Sequence, residues 1–116
     1  MSAPDTTALA ARYRPRIEAE LAELDAASRA TGADRRPVAL DQQSVGRLSR
    51  MDAMQGQAMA AALEARRGQR RQALGAALRR LQEEEFGLCA ECGEFIGLGR
   101  LDIDPTVLRC RACAGQ

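Results

Sequence analysis

Tyr13, Ile17, Leu21 and Leu24 recur at steps of three or four, with Arg and Glu between them. That spacing predicts a helix from about Thr7 to Ala30. Pro15 falls inside the pattern, so the helix either begins near it or is kinked there. The stretch TGADRRPVAL, residues 31–40, breaks the periodicity. Gly32 can end the first helix, and Pro37 cannot continue one. Asp41 is then a good N-cap, and Leu40 and Val45 can staple the next helix start. From Gln42 to about Phe86 there is no proline, and the isolated Gly46, Gly56, Gly68 and Gly75 weaken a helix without ending it.

This second helix would be about 65 Å long at the usual rise. Its apolar stripe shows early in Val45, Leu48, Met51, Met59 and Leu63, and late in Leu74, Leu78 and Leu81. Such a helix needs a partner. A short connection makes the first helix that partner, antiparallel and covering about the first half of the second. Met51, Met54 and Met59 read as core filler. A helical spacer or an oligomerisation coil fits the same pattern. The cluster Arg66, Arg67, Arg70 and Arg71 fits a phosphate-binding patch or a solvated helix face, with Glu64 nearby favouring the latter.

Residues 86–116 change character. Gly87 follows Phe86 as a helix stop, and then come Cys89-x2-Cys92, seventeen residues, and Cys110-x2-Cys113. Two CxxC pairs at this separation make a four-cysteine zinc site. Gly93 supplies the positive φ that the turn after the first pair favours. Four thiolates fill the tetrahedron, so such a zinc is structural and leaves no position for substrate. An iron–sulfur cluster, a redox dithiol pair and a purely apolar role are the competing readings. A module of about 30 residues has little core, so metal binding and folding should be one event.

Composition narrows the classes. The 116 residues are 46% hydrophobic but only 3% aromatic, and much of the apolar content is alanine. That suits long helices better than a thick globular core. Histidine is absent, which removes histidine acid–base catalysis, histidine-activated nucleophiles and histidine zinc ligands together. All cations are arginine, and the net charge is +1, which argues neither for nor against nucleic acid. No apolar run is long enough for a membrane span, and the first residues lack a secretory pattern. A cytoplasmic protein without enzymatic activity is expected, in which four cysteines read as metal ligands before disulfides.

The stretch Phe86-Gly87-x-Cys89-x2-Cys92-Gly93-x2-Ile96-x3-Arg100-Leu101-x3-Pro105-x4-Cys110-x2-Cys113 closely resembles the zinc finger of the DksA/TraR family. The helical hairpin ahead of it is similar in architecture. The resemblance implies a mainly α fold, with an antiparallel helical hairpin, or coiled coil, over residues 1–86, a tip near 31–42, and a four-cysteine finger over 87–116. It implies a bacterial transcription factor that binds RNA polymerase rather than promoter DNA. Family members insert the hairpin into the secondary channel of the enzyme and bring its tip near the active site, and DksA members often act with the alarmone ppGpp in the stringent response.

Carried onto this chain, the tip acids are Asp41, Asp52 and Asp34. The D-x-x-D-x-A tip motif of DksA does not occur. Ala114 stands where DksA has a basic residue next to the last cysteine, so weak or absent ppGpp dependence is expected. A compact monomer is expected, with one structural Zn2+ and no sequence-specific DNA contact. The competing classes are a zinc-ribbon nucleic-acid binder and a thiol-based redox sensor. Against the former stand the balanced charge, the scarce aromatics and only Arg100, Arg109 and Arg111 as cations in the finger.

Overall fold

A computed structural model describes residues 4–36 and 46–115 of the chain. Among the described residues the helices are α1 (Thr6–Ala30), α2 (Arg47–Gln82), α3 (Leu98–Ile103) and α4 (Arg111–Ala114), with a 3-10 turn at Gly32–Arg35. The described residues contain no extended strand, only an isolated antiparallel bridge between Leu88 and Phe95. None of the helices is long and apolar enough to cross a membrane.

Helix α1 starts on a cap. The Asp5 carboxylate accepts the Ala8 N–H at 2.8 Å, and the Asp5 carbonyl accepts that of Leu9. One otherwise orphaned N-terminal donor is thereby satisfied. Pro15 lies well inside the helix. The helix is therefore not initiated there, and it lacks the N–H that residue 15 would have given to the turn before it.

Helix α2 begins at Arg47, where the Gly46 carbonyl accepts the Arg50 N–H. The predicted cap Asp41 and the staple of Leu40 with Val45 lie outside the described residues. The helix ends at Gln82, not at Phe86. Glu84 takes φ +61°, and the Glu85 N–H returns to the Arg80 carbonyl at 2.9 Å. This is a Schellman-type stop with glutamate in the left-handed position that glycine usually fills.

The chain divides into two compact units, one made of Met1–Leu21 with Arg71–Gln116, the other of Ala22–Arg70. In the first unit the core is Leu9, Tyr13 and Ile17 of α1, Leu74, Ala77 and Leu81 of α2, and Phe86, Ile96 and Leu101 beyond them. The rings of Tyr13 and Phe86 lie 5.2 Å apart between centroids. In the second unit the Ser28 hydroxyl donates to the Glu64 carboxylate at 2.8 Å. Arg35 and Arg67 flank the same carboxylate at 3.8 and 3.9 Å, and Arg67 also donates to Thr31.

Those two pairings, Tyr13 with Phe86 and Ser28 with Glu64, give the antiparallel hairpin its register. They place α1 beside the C-terminal half of α2, which corrects the expected coverage of the first half. Helix α1 has 25 residues against 36 in α2, so it is too short to cover the whole of that helix. The late stripe is buried as expected, with Leu78 half-buried. The early stripe is not core: Leu48 is 77% exposed and Met59 69%, and Met51, Met54 and Leu63 are exposed too.

Candidate metal centre

The finger is built from two cysteine knuckles and the short helix between them. After the α2 stop, Leu88 and Phe95 form the antiparallel bridge. The Cys89 N–H donates to the Glu94 carbonyl and the Gly93 N–H to the Cys89 carbonyl, at 2.8 and 2.9 Å. This closes the first knuckle, with Gly93 at φ +77° as its spacing predicts. Gly87 is a close-approach residue rather than a helix stop. It sits at φ +83°, and a β-carbon there would lie 2.9 Å from the Phe95 ring.

Helix α3 follows, its Leu101 fully buried. Asp104 then turns the chain, accepting from the backbone N–H and the hydroxyl of Thr106. Pro105 is buried just after it. Arg100 donates from Nε to the Arg109 carbonyl at 2.9 Å and thereby holds the segment leading to Cys110. A backbone bond from the Ala90 N–H to the Leu108 carbonyl, 2.8 Å, joins the two knuckles. The interior of the sequence motif (Ile96, Arg100, Leu101, Pro105) thus consists of groups that shape the loop between the cysteine pairs.

All four sulfurs of Cys89, Cys92, Cys110 and Cys113 lie within 4.8 Å of one another. The Cys92 and Cys110 sulfurs are 3.7 Å apart. Tetrahedral zinc with bonds of about 2.3 Å requires an edge of about 3.8 Å. The donor set and its spacing therefore fit one zinc ion. With four thiolates the shell is closed, and the ion is structural.

The thiols themselves are differentiated. Backbone N–H groups of Cys110 and Cys92 pull Cys89 down to about 6. The Glu94 N–H lowers Cys92, but burial and hydrogen bonds shared with Cys89 and Cys110 outweigh it and leave that thiol raised. Hydrogen bonds to the sulfurs of Cys110 and Cys89, followed by burial, push Cys113 up to about 12. Without metal the cluster cannot carry four charges at close range. With it, the divalent ion takes over the role of those protons.

Residues 84–116 match the sequence profile described as the prokaryotic dksA/traR C4-type zinc finger. The match covers the finger alone, which is of the DksA/TraR C4 type. Comparison with curated proteins gives no match. Among solved structures, that of transcription factor DksA2 from Pseudomonas aeruginosa is similar over 95% of this chain and 74% of its own, at 24% identity and a TM-score of 0.58. The DksA/TraR finger here thus sits on helices whose fold also follows a DksA protein.

Sequence reasoning missed what ties the finger to the helices. Arg12 forms a two-pronged pair with Asp102, at 3.0 Å from Nε and 2.6 Å from Nη2. The Tyr13 hydroxyl donates to the same carboxylate at 2.8 Å. Arg16 donates to the carbonyls of Asp102 and Ile103 at the end of α3. The Arg12 guanidinium, with the Tyr13 hydroxyl, holds the Asp102 carboxyl below its usual range. Burial raises the Tyr13 phenol, and the Asp102 carboxylate adds to the effect. On the far helix, Arg80 donates to the Val107 carbonyl at 3.3 Å.

The remaining predicted residues are scattered. Asp34 is exposed in the 3-10 turn and Asp52 is exposed on α2, while Asp41 lies outside the described residues. Of the arginine cluster, Arg66 is exposed and Arg67 is bound into the Glu64 and Thr31 network. Arg70 and Arg71 are half-buried and engaged. The cluster is therefore not one open cationic patch.

Proposed function

We propose that this chain is a bacterial transcription regulator that binds RNA polymerase through the secondary channel and modulates promoter complexes with its hairpin tip. The observation that carries the reading is the DksA/TraR finger joined to an antiparallel hairpin whose fold follows that of transcription factor DksA2 over 95% of the chain. In this reading residues 1–86 are the hairpin with its tip near 31–42, and 87–116 are the finger. A hairpin braced at a metal-pinned base loses little freedom when it inserts, so binding is not offset by ordering. Acids at a tip that reaches a metal-dependent catalytic centre act on it electrostatically. Asp34, Asp52 and Asp41 are the candidates for that role. The protein works as a cytoplasmic monomer, is not an enzyme, and needs no contact with specific DNA sequence.

Dependence on ppGpp is weak or absent in this reading. Ala114 is exposed at the end of α4 and offers no charge for a phosphate.

The experiment is binding to core RNA polymerase, with and without ppGpp, together with photo-crosslinking from residues 34 and 52. Binding with crosslinks close to the polymerase active site is the expected result. Failure to bind, or crosslinks confined to the outer surface, refutes the secondary-channel reading. A large saturable ppGpp enhancement refutes the expectation at Ala114.

A further inference from the structure

The 3-10 turn Gly32–Arg35 carries Asp34, and its own bonds give it a defined shape. The Asp34 N–H donates to the Thr31 carbonyl at 3.0 Å and the Arg36 N–H to the Ala33 carbonyl at 3.3 Å. Arg35 reaches back to α1. Its Nη2 donates to the Ser28 carbonyl at 3.0 Å and its Nη1 to the Thr31 hydroxyl at 2.9 Å. The Ser28 carbonyl is one of the last four of α1, so Arg35 caps that helix end. The Thr31 hydroxyl donates in turn to the Ala27 carbonyl at 2.8 Å. These bonds shape the turn, but none of them ties it to α2.

That tie runs through Glu64 and Arg67 of α2. The Glu64 carboxylate accepts from the Ser28 hydroxyl and stands 3.8 Å from Arg35 Nη1 and 3.9 Å from Arg67 Nη1. Arg67 also donates to the Thr31 hydroxyl at 3.2 Å. Two guanidiniums therefore converge on one hydroxyl, and the Glu64 charge lies between them. The three charged side chains are only 21–26% exposed, so solvent ions screen them less than an open surface pair. Closer to Asp34 the turn is not packed onto α2. An open cavity of about 560 Å³ lies there, lined by Asp34 and Arg36 on one side and by Ala53, Gly56 and Gln57 on the other. Apolar packing does not fix the distance between turn and helix at that point, and the polar tie at Glu64 does.

We propose that Glu64 is a positioning residue of the hairpin tip: with Arg35 and Arg67 it sets the place of the 3-10 turn against α2, and so presents Asp34 as the acid that acts in regulation. The role of Asp34 rests on the proposed function, whereas the clamp at Glu64 does not. The test has two readouts on the full zinc-loaded chain. Glu64→Gln keeps an oxygen for the Ser28 hydroxyl but removes the charge that both arginines face. Backbone order parameters of residues 32–36, near the rigid value of about 0.85 in the parent, should fall below about 0.6 in this variant. Glu23→Gln removes the same charge from an exposed position of α1 and should leave them unchanged. In purified transcription the maximal effect at saturating protein should fall about tenfold or more for Glu64→Gln and for Asp34→Asn, as misplacement or loss of an acting group does. Glu64→Gln should still bind core RNA polymerase within about twofold of the parent. A merely stabilising Glu64 would lower the melting temperature and leave the maximal effect intact. Order parameters equal to those of the parent in Glu64→Gln overturn the clamp, and a full effect in Asp34→Asn overturns the assignment of Asp34. Absence of binding by the parent overturns the polymerase reading and the role of Asp34 with it, while the order parameters still decide the clamp.

Discussion

Replacing Gly87 with alanine tests the geometry of the finger at one point. Gly87 lies at φ +83°, and a left-handed conformation costs a residue with a β-carbon about 1–2 kcal/mol. The new methyl would also stand 2.9 Å from Phe95 Cε1 and 3.3 Å from Leu101 Cδ1. Crowding of that kind costs about 1–3 kcal/mol. The Gly87 backbone cannot slide away easily, because its carbonyl accepts the Ile96 N–H at 2.7 Å next to the Leu88 and Phe95 bridge. Alanine lowers the entropy of the unfolded chain and returns about 0.4–1 kcal/mol. The net loss should be about 2–4 kcal/mol. Gly93→Ala is the control, since its φ is +77° but nothing lies within 4 Å of a β-carbon there. Its loss should stay near 1 kcal/mol, the conformational cost alone. Folding of the finger and zinc binding are linked, so both appear in a chelator competition titration. Gly87→Ala should weaken zinc binding by about 30- to 1000-fold and Gly93→Ala by less than about tenfold. Adding Phe95→Leu to Gly87→Ala should recover part of the loss. Equal losses for the two glycine variants, or no recovery with Phe95→Leu, would refute the close-approach argument.

Metal removal comes next: a strong chelator, or Cys89→Ser or Cys110→Ser, should abolish ordered structure in residues 84–115, read by loss of amide dispersion there, and metal analysis of untreated protein should give one zinc per chain. Asp102→Asn should lower the melting temperature at pH 7. Because the folded carboxyl is held below its ordinary value, its stabilisation is present above about pH 4 and disappears as pH falls through the lower folded value, so the gap between parent and variant should close on acidification. Leu74→Ala should cost about 2–5 kcal/mol in denaturant unfolding, whereas Leu48→Ala, at a position 77% exposed, should stay within about 0.5 kcal/mol.

What the sequence made legible follows from where local rules suffice. Two CxxC pairs fix a metal site because the ligand chemistry demands those residues at those spacings, and all four sulfurs do converge. The turn glycine Gly93 was legible from the turn that the first pair requires, and the interior residues Ile96, Leu101 and Pro105 only through the resemblance to the DksA/TraR finger. The helices were legible from periodicity, but their pairing was not. The stripe of Leu48 and Met59 is as regular as that of Leu74 and Leu81, and periodicity tells which face is apolar, not whether a partner reaches it. The end of α2 was misplaced because Glu84, not a glycine, occupies the left-handed position. Asp5 is an ordinary cap residue, but it lies ahead of the apolar residues from which the start near Thr7 was read. The Asp102 clamp was out of reach, since its partner Arg12 lies ninety residues away and neither residue belongs to a local motif.

Those long-range contacts explain how a finger of this size becomes part of a larger base. Zinc joins the two knuckles but makes no bond to α1 or α2. The connection is made by side chains reaching out from the helices: Arg12 and Tyr13 to Asp102, Arg16 to the last carbonyls of α3, and Arg80 to Val107. Arg16 and Arg80 aim at backbone oxygens that close no helical hydrogen bond, and such acceptors are costly when covered without a donor. Leu101 and Phe86 then add burial between the helices and the finger. The two sets of bonds fail differently. Without zinc, α3 loses the knuckles that hold it, and Asp102 can no longer be presented to Arg12. Tyr13, Ile17, Leu74, Ala77 and Leu81 still have one another, so the pairing of α1 with the end of α2 has its own core. Zinc thus controls whether the finger is present as a shaped surface, while the apolar contacts of the helices keep the hairpin paired.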